Sequence, residues 1–453
     1  MASIAVLTKG AGEEVLLQLL QKPLADPSFT ELALYQLIRF LGDTMSFSPP
    51  TIDNIVQAWA KHRDQTLEQK TLSYLIQLYV KCGQLEEAKA WLQRSGHGAT
   101  PSAARFTDLM TGFVGREHTD ELTATIANMQ KANVAPDLAV FNTIIYGHIK
   151  RLHFKDAVRT YRLLFRSRGK ELTPDKYTFM NMFDMCSKAL EPRYQVYSVT
   201  KARLPRPRRL HKNLIECHLI RTGGQRARQS RTLTTNVLNF ALKVFMQTED
   251  YPAAYTLFRT FDLCNVPANS ATVDIILRPL LAKIRRERQK ASKNDTWLRA
   301  LLGSEWYENI EANGTLLSLT GTDILKRLWL VGSAGSQIDL DPRYSTPTYR
   351  VNPQAKVLPG NSKKLFPSDL RVLRAIIKRL FFAGAHRMDL DSSIATKSIW
   401  KARLIQASRD MAPDMEAMME YFESGKAGME LKKLSESGVD RRPWDDLRYL
   451  GGG

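Results

Sequence analysis

The strongest constraint in this 453-residue chain is a repeat. Four consecutive units begin at Gln69, Ala103, Leu138 and Lys176, spaced 34, 35 and 38 residues apart. The second and third units end on Pro136-Asp137 and Pro174-Asp175. Units this short cannot close a core alone. They bury apolar surface only by stacking on their neighbours.

The apolar spacing inside each unit predicts a helix. Leu72, Leu75, Ile76 and Tyr79 fall at i, i+3, i+4 and i+7, as do Phe106, Leu109, Met110 and Phe113. Phe141, Ile144 and Ile145 continue the pattern, followed by His148, and then Phe179, Met182, Phe183 and Cys186. A second helix follows, carried by Leu85, Ala88 and Leu92 in the first unit and by Phe154, Ala157 and Tyr161 in the third. Gly83 sits between the two, where a turn is needed. The pattern returns from Thr235 to Asn269 on Leu238, Ala241, Leu242 and Phe245, and again from Ser270. A further helical pair is expected ahead of the array, over about 30–42 and 51–62.

These hairpins do not carry the early Trp, Leu-Gly and Tyr of tetratricopeptide repeats. The segments LSYLIQLYVKCGQLEEAKAWL and VFNTIIYGHIKRLHFKDAVRTY, with Pro-Asp at unit ends, resemble pentatricopeptide repeats instead. The resemblance covers 69–188 and 235–282. It implies an all-α, right-handed superhelical solenoid that binds single-stranded RNA in an organelle, about one base per repeat.

In that family an early polar residue of the first helix reads a base edge and the last residue of the unit supports it. The matching pairs are Thr107 with Asp137, Asn142 with Asp175, and Asn239 with Asn269. The resemblance assigns them guanine, uracil and a pyrimidine. Ser73 with Ser102 is a further pair, leaning to adenine, and Met180 breaks the series. The positions that usually clamp the base hold Ala104, Ala139, Tyr177 and Asn236 rather than Val.

Charge points to the same kind of partner. Lys plus Arg is 65 against 46 Asp plus Glu, a formal net charge of +19. Such a surplus attracts polyanions, nucleic acid first and an anionic membrane surface as the runner-up. Between Glu191 and Arg231 basic residues crowd together. Arg203, Arg206, Arg208, Arg209, Lys212, Arg226, Arg228 and Arg231 are its candidate phosphate contacts. Pro205, Pro207 and Gly223-Gly224 predict that no long helix forms there, and the segment reads as a basic insertion or a degenerate repeat with an arm. The chain thus divides into an N-terminal capping region, 1–68; repeats, 69–190; a basic insertion, 191–231; further repeats, 232–295; and a mostly helical C-terminal extension, 296–453, with a loop-rich linker at about 339–362.

Catalysis is not expected. Asp339, Asp341, Asp389 and Asp391 are the tightest acidic groups of the extension, and no strand-rich pattern surrounds them. The histidines look scattered, without paired metal spacing, and no phosphate-binding or nucleophile motif appears. No cofactor and no metal are expected. Cys82, Cys186, Cys217 and Cys264 form no CxxC pair, which fits a reducing compartment. No apolar run reaches the ~20 residues of a membrane span. The expected function is non-catalytic binding of mitochondrial mRNA or rRNA in the matrix, serving RNA stability, processing or translation. The alternative is an RNA-binding subunit of the mitochondrial ribosome, with ribosomal proteins as partners.

Overall fold

Each repeat folds as a helical hairpin because its apolar i, i+3, i+4, i+7 stripe is buried and its turn is built to reverse the chain. The computed structural model describes residues 13–61, 63, 67–94, 102–115, 119–166, 172–191, 204–222, 232–264, 266–289, 296–303, 324, 327–328, 367–386 and 393–411. All regular elements among them are helical. The chain divides into two units: Met1–Leu172 with Val439–Gly453, and Thr173–Gly438.

The first unit contains α1 (Glu13–Ala25), α2 (Glu31–Arg39) and α3 (Pro49–Lys61). The hairpins follow: α4 (Gln69–Cys82) with α5 (Leu85–Arg94), α6 (Ala103–Gly115) with α7 (Thr119–Lys131), and α8 (Leu138–Lys150) with α9 (Phe154–Arg166). The first helices α4, α6 and α8 pack side by side. Their stripe residues are at most 4% exposed, Phe113, Phe141 and Ile145 being wholly buried. Burying an aromatic side chain of this size stabilises the fold by about 2 kcal/mol, which is why the stripe sets the helix phase. Trp59 of α3 is buried as well, its indole N–H donating to the Phe29 carbonyl at 3.1 Å.

Two devices recur. The first is the helix ending. The Gly83 N–H bonds to Val80 O at 3.1 Å and the Gln84 N–H to Tyr79 O at 2.9 Å, with Gly83 at φ 82°. This 6→1 and 5→2 pairing is the Schellman motif, which needs a left-handed residue after the helix. The same pattern ends α7 at Asn133 (φ 54°) and α8 at Leu152 (φ 62°). The second device is a close approach of first helices. Gly112 and Gly147 are each the tenth residue of their helix and face Val80 and Val114, each the twelfth residue of the preceding first helix. A Cβ on Gly112 would lie 2.6 Å from Val80 Cγ1, and one on Gly147 2.9 Å from Val114 Cγ2. Glycine is required there by space, not by dihedral angle.

The second unit holds α10 (Lys176–Leu190), α11 (Pro207–Thr222), α12 (Thr235–Gln247), α13 (Tyr251–Leu263), α14 (Ser270–Gln289), α15 (Thr296–Leu302), α16 (Pro367–His386) and α17 (Ser393–Met411). Here the expectation that no long helix forms in this segment is corrected. Pro207–Thr222 is a 16-residue helix with Leu210, His211, Leu214, Ile215, Cys217 and His218 buried. Pro207 is its first residue, where a missing N–H costs nothing, and Gly223-Gly224 lies just beyond its end. These residues punctuate the helix rather than break it. α11 packs on α10 and α12, in the position of a second helix of a hairpin that α10 opens.

The C-terminal extension packs mainly on the second helices α11 and α13. Trp400 of α17 stands edge-on to Tyr255 at 5.4 Å and lies 4.9 Å from Phe381 of α16. Arg379 Nη1 donates to the Leu301 carbonyl at 3.0 Å, tying α16 to α15. The 339–362 linker and the last thirty residues lie outside the described residues.

Candidate nucleic-acid interface

One residue per repeat sits at a common helical address. Ser73, Thr107 and Asn142 are each the fifth residue of α4, α6 and α8. In the second unit the fifth residues of α10, α12 and α14 are Met180, Asn239 and Asp274. Because neighbouring first helices pack side by side, this register carries a row of polar side chains from hairpin to hairpin in the first unit.

The three residues of that row are half-buried. The Thr107 hydroxyl donates to the Ala103 carbonyl one turn back, at 3.0 Å, leaving its oxygen as an acceptor. One turn further along stand Gln77, Thr111 and Tyr146, each a ninth residue. They were not singled out from sequence, although the i, i+4 spacing from the first row was visible. Gln77 donates to Asp108 Oδ1 at 2.9 Å, bridging α4 to α6. Burial pushes the Asp108 carboxyl up to about 6, and the Gln77 bond opposes that rise. Lys150, a third step along α8, holds its ammonium 5.4 Å from the Tyr146 ring. An aromatic face beside a cation is a chemistry that suits a stacked base.

The supporting residues have a second task. Asp137 precedes α8 and accepts from the Val140 N–H at 2.9 Å. Asp175 precedes α10 and accepts from the Tyr177 and Thr178 N–H groups at 3.0 and 3.1 Å, while Thr178 Oγ1 accepts from the Asp175 N–H at 3.3 Å. Each Asp is therefore a helix N-cap, and the Pro-Asp signature is a helix-start signal. Asn142 lies in the first unit and Asp175 in the second. Ser102, just ahead of α6, has its hydroxyl oxygen buried without a hydrogen-bond partner among the described residues.

Asn239 and Asn269 do meet, but inward. Asn239 is 7% exposed; its Nδ2 donates to Asn269 Oδ1 at 3.2 Å and its Oδ1 accepts from the buried Thr272 hydroxyl at 2.8 Å. Asn269 also accepts from the Thr272 N–H at 3.2 Å. The expected pair is thus brought together, and it is tied into a buried network that starts α14, with one lone pair of the Asn239 oxygen accepting from Thr272.

Among the basic residues, Arg206 and Arg209 are exposed at the start of α11 and Lys212 is half-buried. Arg208 is not available to a phosphate. Its Nη2 and Nε bond to the two carboxylate oxygens of Asp250, both at 2.7 Å, and its Nη1 to Asp410 at 2.9 Å. The Asp250 bonds, and then Asp410, hold the Arg208 guanidinium above its ordinary range. Arg203, Arg226, Arg228 and Arg231 lie outside the described residues.

The histidines are less scattered in space than in sequence. His148, His153 and Asp156 come together at the α8–α9 turn, with one ligand atom from each within 4.8 Å of the others.

No family model and no curated relative matches the chain. Among solved structures it is similar to the pentatricopeptide repeat protein PPR10 in complex with an 18-nt psaJ RNA element, at 13% identity and TM-score 0.26, over 100% of this chain and 76% of that one. The structure of PPR10 from maize gives 12% identity and TM-score 0.25, over 100% of this chain and 75% of the other. At such TM-scores the likeness carries no argument. The all-α hairpin architecture rests on this chain's own helices, turns and buried stripes.

Proposed function

We propose that the chain binds single-stranded RNA along the first helices of its first unit, without catalysis. The observation that carries this reading is the register: Ser73, Thr107 and Asn142 occupy the same fifth position on adjacent helices, followed one turn on by Gln77, Thr111 and Tyr146. A polar ladder repeated with the hairpin period suits a ligand that repeats too. The net charge of +19 supplies long-range attraction, and the exposed Arg206 and Arg209 are the phosphate contacts of the second unit. The resemblance to pentatricopeptide repeats extends the reading to an organellar transcript in the mitochondrial matrix and to its stability, processing or translation. The four free thiols suit a reducing compartment.

Fluorescence anisotropy on labelled single-stranded and duplex RNAs over a salt series tests this. Single strands bind more tightly, and log K falls linearly with log salt. No measurable binding to any single strand at low salt overturns the proposal.

A second reading is favoured by the closed Asn239–Asn269–Thr272 network, which turns a reading position of the second unit into scaffold. In it the chain is an RNA-binding subunit of the mitochondrial ribosome, its hairpins serving as a frame. Co-sedimentation of the native protein with a ribosomal subunit at high salt supports this second reading. Sedimentation as a free protein favours the first.

A further inference from the structure

The turn between α8 and α9 carries chemistry that RNA binding does not use. The helix ends in a Schellman motif: the His153 N–H bonds to His148 O at 2.8 Å and the Leu152 N–H to Ile149 O at 3.1 Å. This geometry sets the residue two places past the cap against the one three places before it, a contact that apolar side chains usually fill. The same motif after α7 pairs Val134 with Met129. Here it pairs two imidazoles, with ring centroids 6.5 Å apart. Asp156, in the first turn of α9, brings a carboxylate to the same place, and one ligand atom from each of the three lies within 4.8 Å of the others. His148 Nδ1 is buried and has no hydrogen-bond partner among the described residues. A buried ring nitrogen without a partner is costly unless something takes its lone pair or proton.

We propose that His148, His153 and Asp156 form a binding site for a divalent transition metal of the zinc type. Two imidazoles and one carboxylate are a common zinc ligand set that keeps a further position for water or an outside ligand. Zinc bonds of ~2.0–2.1 Å put ligand atoms about 3.4 Å apart, so closure needs rotations of side chains only. Neutral imidazole is the form that ligates a metal, and no hydrogen bond from the described residues competes for His148 Nδ1. Two imidazole nitrogens in the set favour a borderline metal such as zinc over calcium, which takes oxygen ligands. The metal would clip the end of α8 to the start of α9 and stiffen one hairpin of the array.

Zinc titration of the full chain against a chromogenic chelator, with thermal unfolding in parallel, tests the site. The expected result is one tight zinc per chain and a rise in Tm with zinc. His153 is exposed, so His153→Ala leaves the core untouched; it is expected to weaken zinc at least tenfold and abolish the Tm rise, as is Asp156→Asn. Cobalt(II) in place of zinc is expected to give visible d–d bands in the native chain that are lost in His153→Ala. The proposal is overturned if the native chain binds no zinc, or if both variants bind it as tightly and shift Tm as much as the native chain.

Discussion

Arg208 and Asp250, 42 residues apart in sequence, share two hydrogen bonds of 2.7 Å, and the same guanidinium reaches Asp410 at 2.9 Å. The side chains of Arg208 and Asp250 are 25% and 23% exposed, so the fork is screened only in part. It ties α11 to α13 and to the last described helix of the extension. Two acids facing one base make this a fastening of the second unit.

Arg208→Gln is expected to destabilise the second unit by about 2 kcal/mol, since it leaves two carboxylates partly buried with their partner gone. The salt dependence of RNA binding stays as it was. The double change Arg206→Gln with Arg209→Gln does the reverse: the urea midpoint holds and the salt slope flattens. Urea unfolding and binding at several salt concentrations separate the two. An Arg208 variant of native stability but weak RNA binding would return this residue to the phosphate surface.

Base preference separates the half-buried row of the first unit from the buried Asn239 network of the second. Thr107→Asn is expected to move preference at its base from guanine toward uracil, by about 1 kcal/mol, the worth of one exchanged hydrogen bond. Asn239→Thr leaves base ranking unchanged and lowers stability, because Asn239 bonds to Asn269 and Thr272 rather than to a ligand. Competition among short strands that differ at one base reads both. Unchanged ranking in the Thr107 variant would favour the ribosomal reading.

Gly112→Ala is expected to cost about 1–3 kcal/mol in thermal unfolding, the price of overpacking, since the new methyl would meet Val80 at 2.6 Å. Adding Val80→Ala recovers much of the loss. Gly115→Ala, where a Cβ meets nothing within 4 Å, is the control and leaves Tm unchanged or slightly raised.

Acid is expected to weaken the second unit through His211. The ring is 0% exposed, Nδ1–H donates to the Met411 carbonyl at 3.3 Å and Nε2 accepts from the Thr260 hydroxyl at 3.2 Å, which fixes the neutral tautomer. Burial lowers His211 to about 4 from an ordinary 6.5. The unfolded chain therefore binds the proton more tightly, and stability falls as pH drops from about 6.5 toward 4. By pH 5 the loss is about 2 kcal/mol. Urea midpoints at pH 7 and pH 5 measure it. His211→Asn should shrink the difference between them, and an undiminished difference would assign the effect to other groups.

The sequence by itself determined the repeat, the all-helical hairpins and the buried face of each helix. It could do so because a 3.6-residue period of apolar side chains, read over a dozen residues, is a local property that stacking then satisfies. It also placed the row of Ser73, Thr107 and Asn142, since their addresses follow from the same period. Only the tertiary structure decided which polar residues face outward. The formal charge on Arg208 says nothing of Asp250 and Asp410, which arrive from 42 and 202 residues away. The amide of Asn239 looks the same whether it awaits a base or holds Asn269. Pro207 and Gly223-Gly224 mark helix boundaries, and Leu210, Leu214 and Cys217 finding a core to enter made the stretch after Pro207 a helix. His148 and His153 became neighbours through the reversal at Leu152, whose left-handed backbone no residue preference for leucine announces. In each case the deciding partner is distant in sequence or set by a turn, so pairing and desolvation were fixed by packing rather than by local pattern.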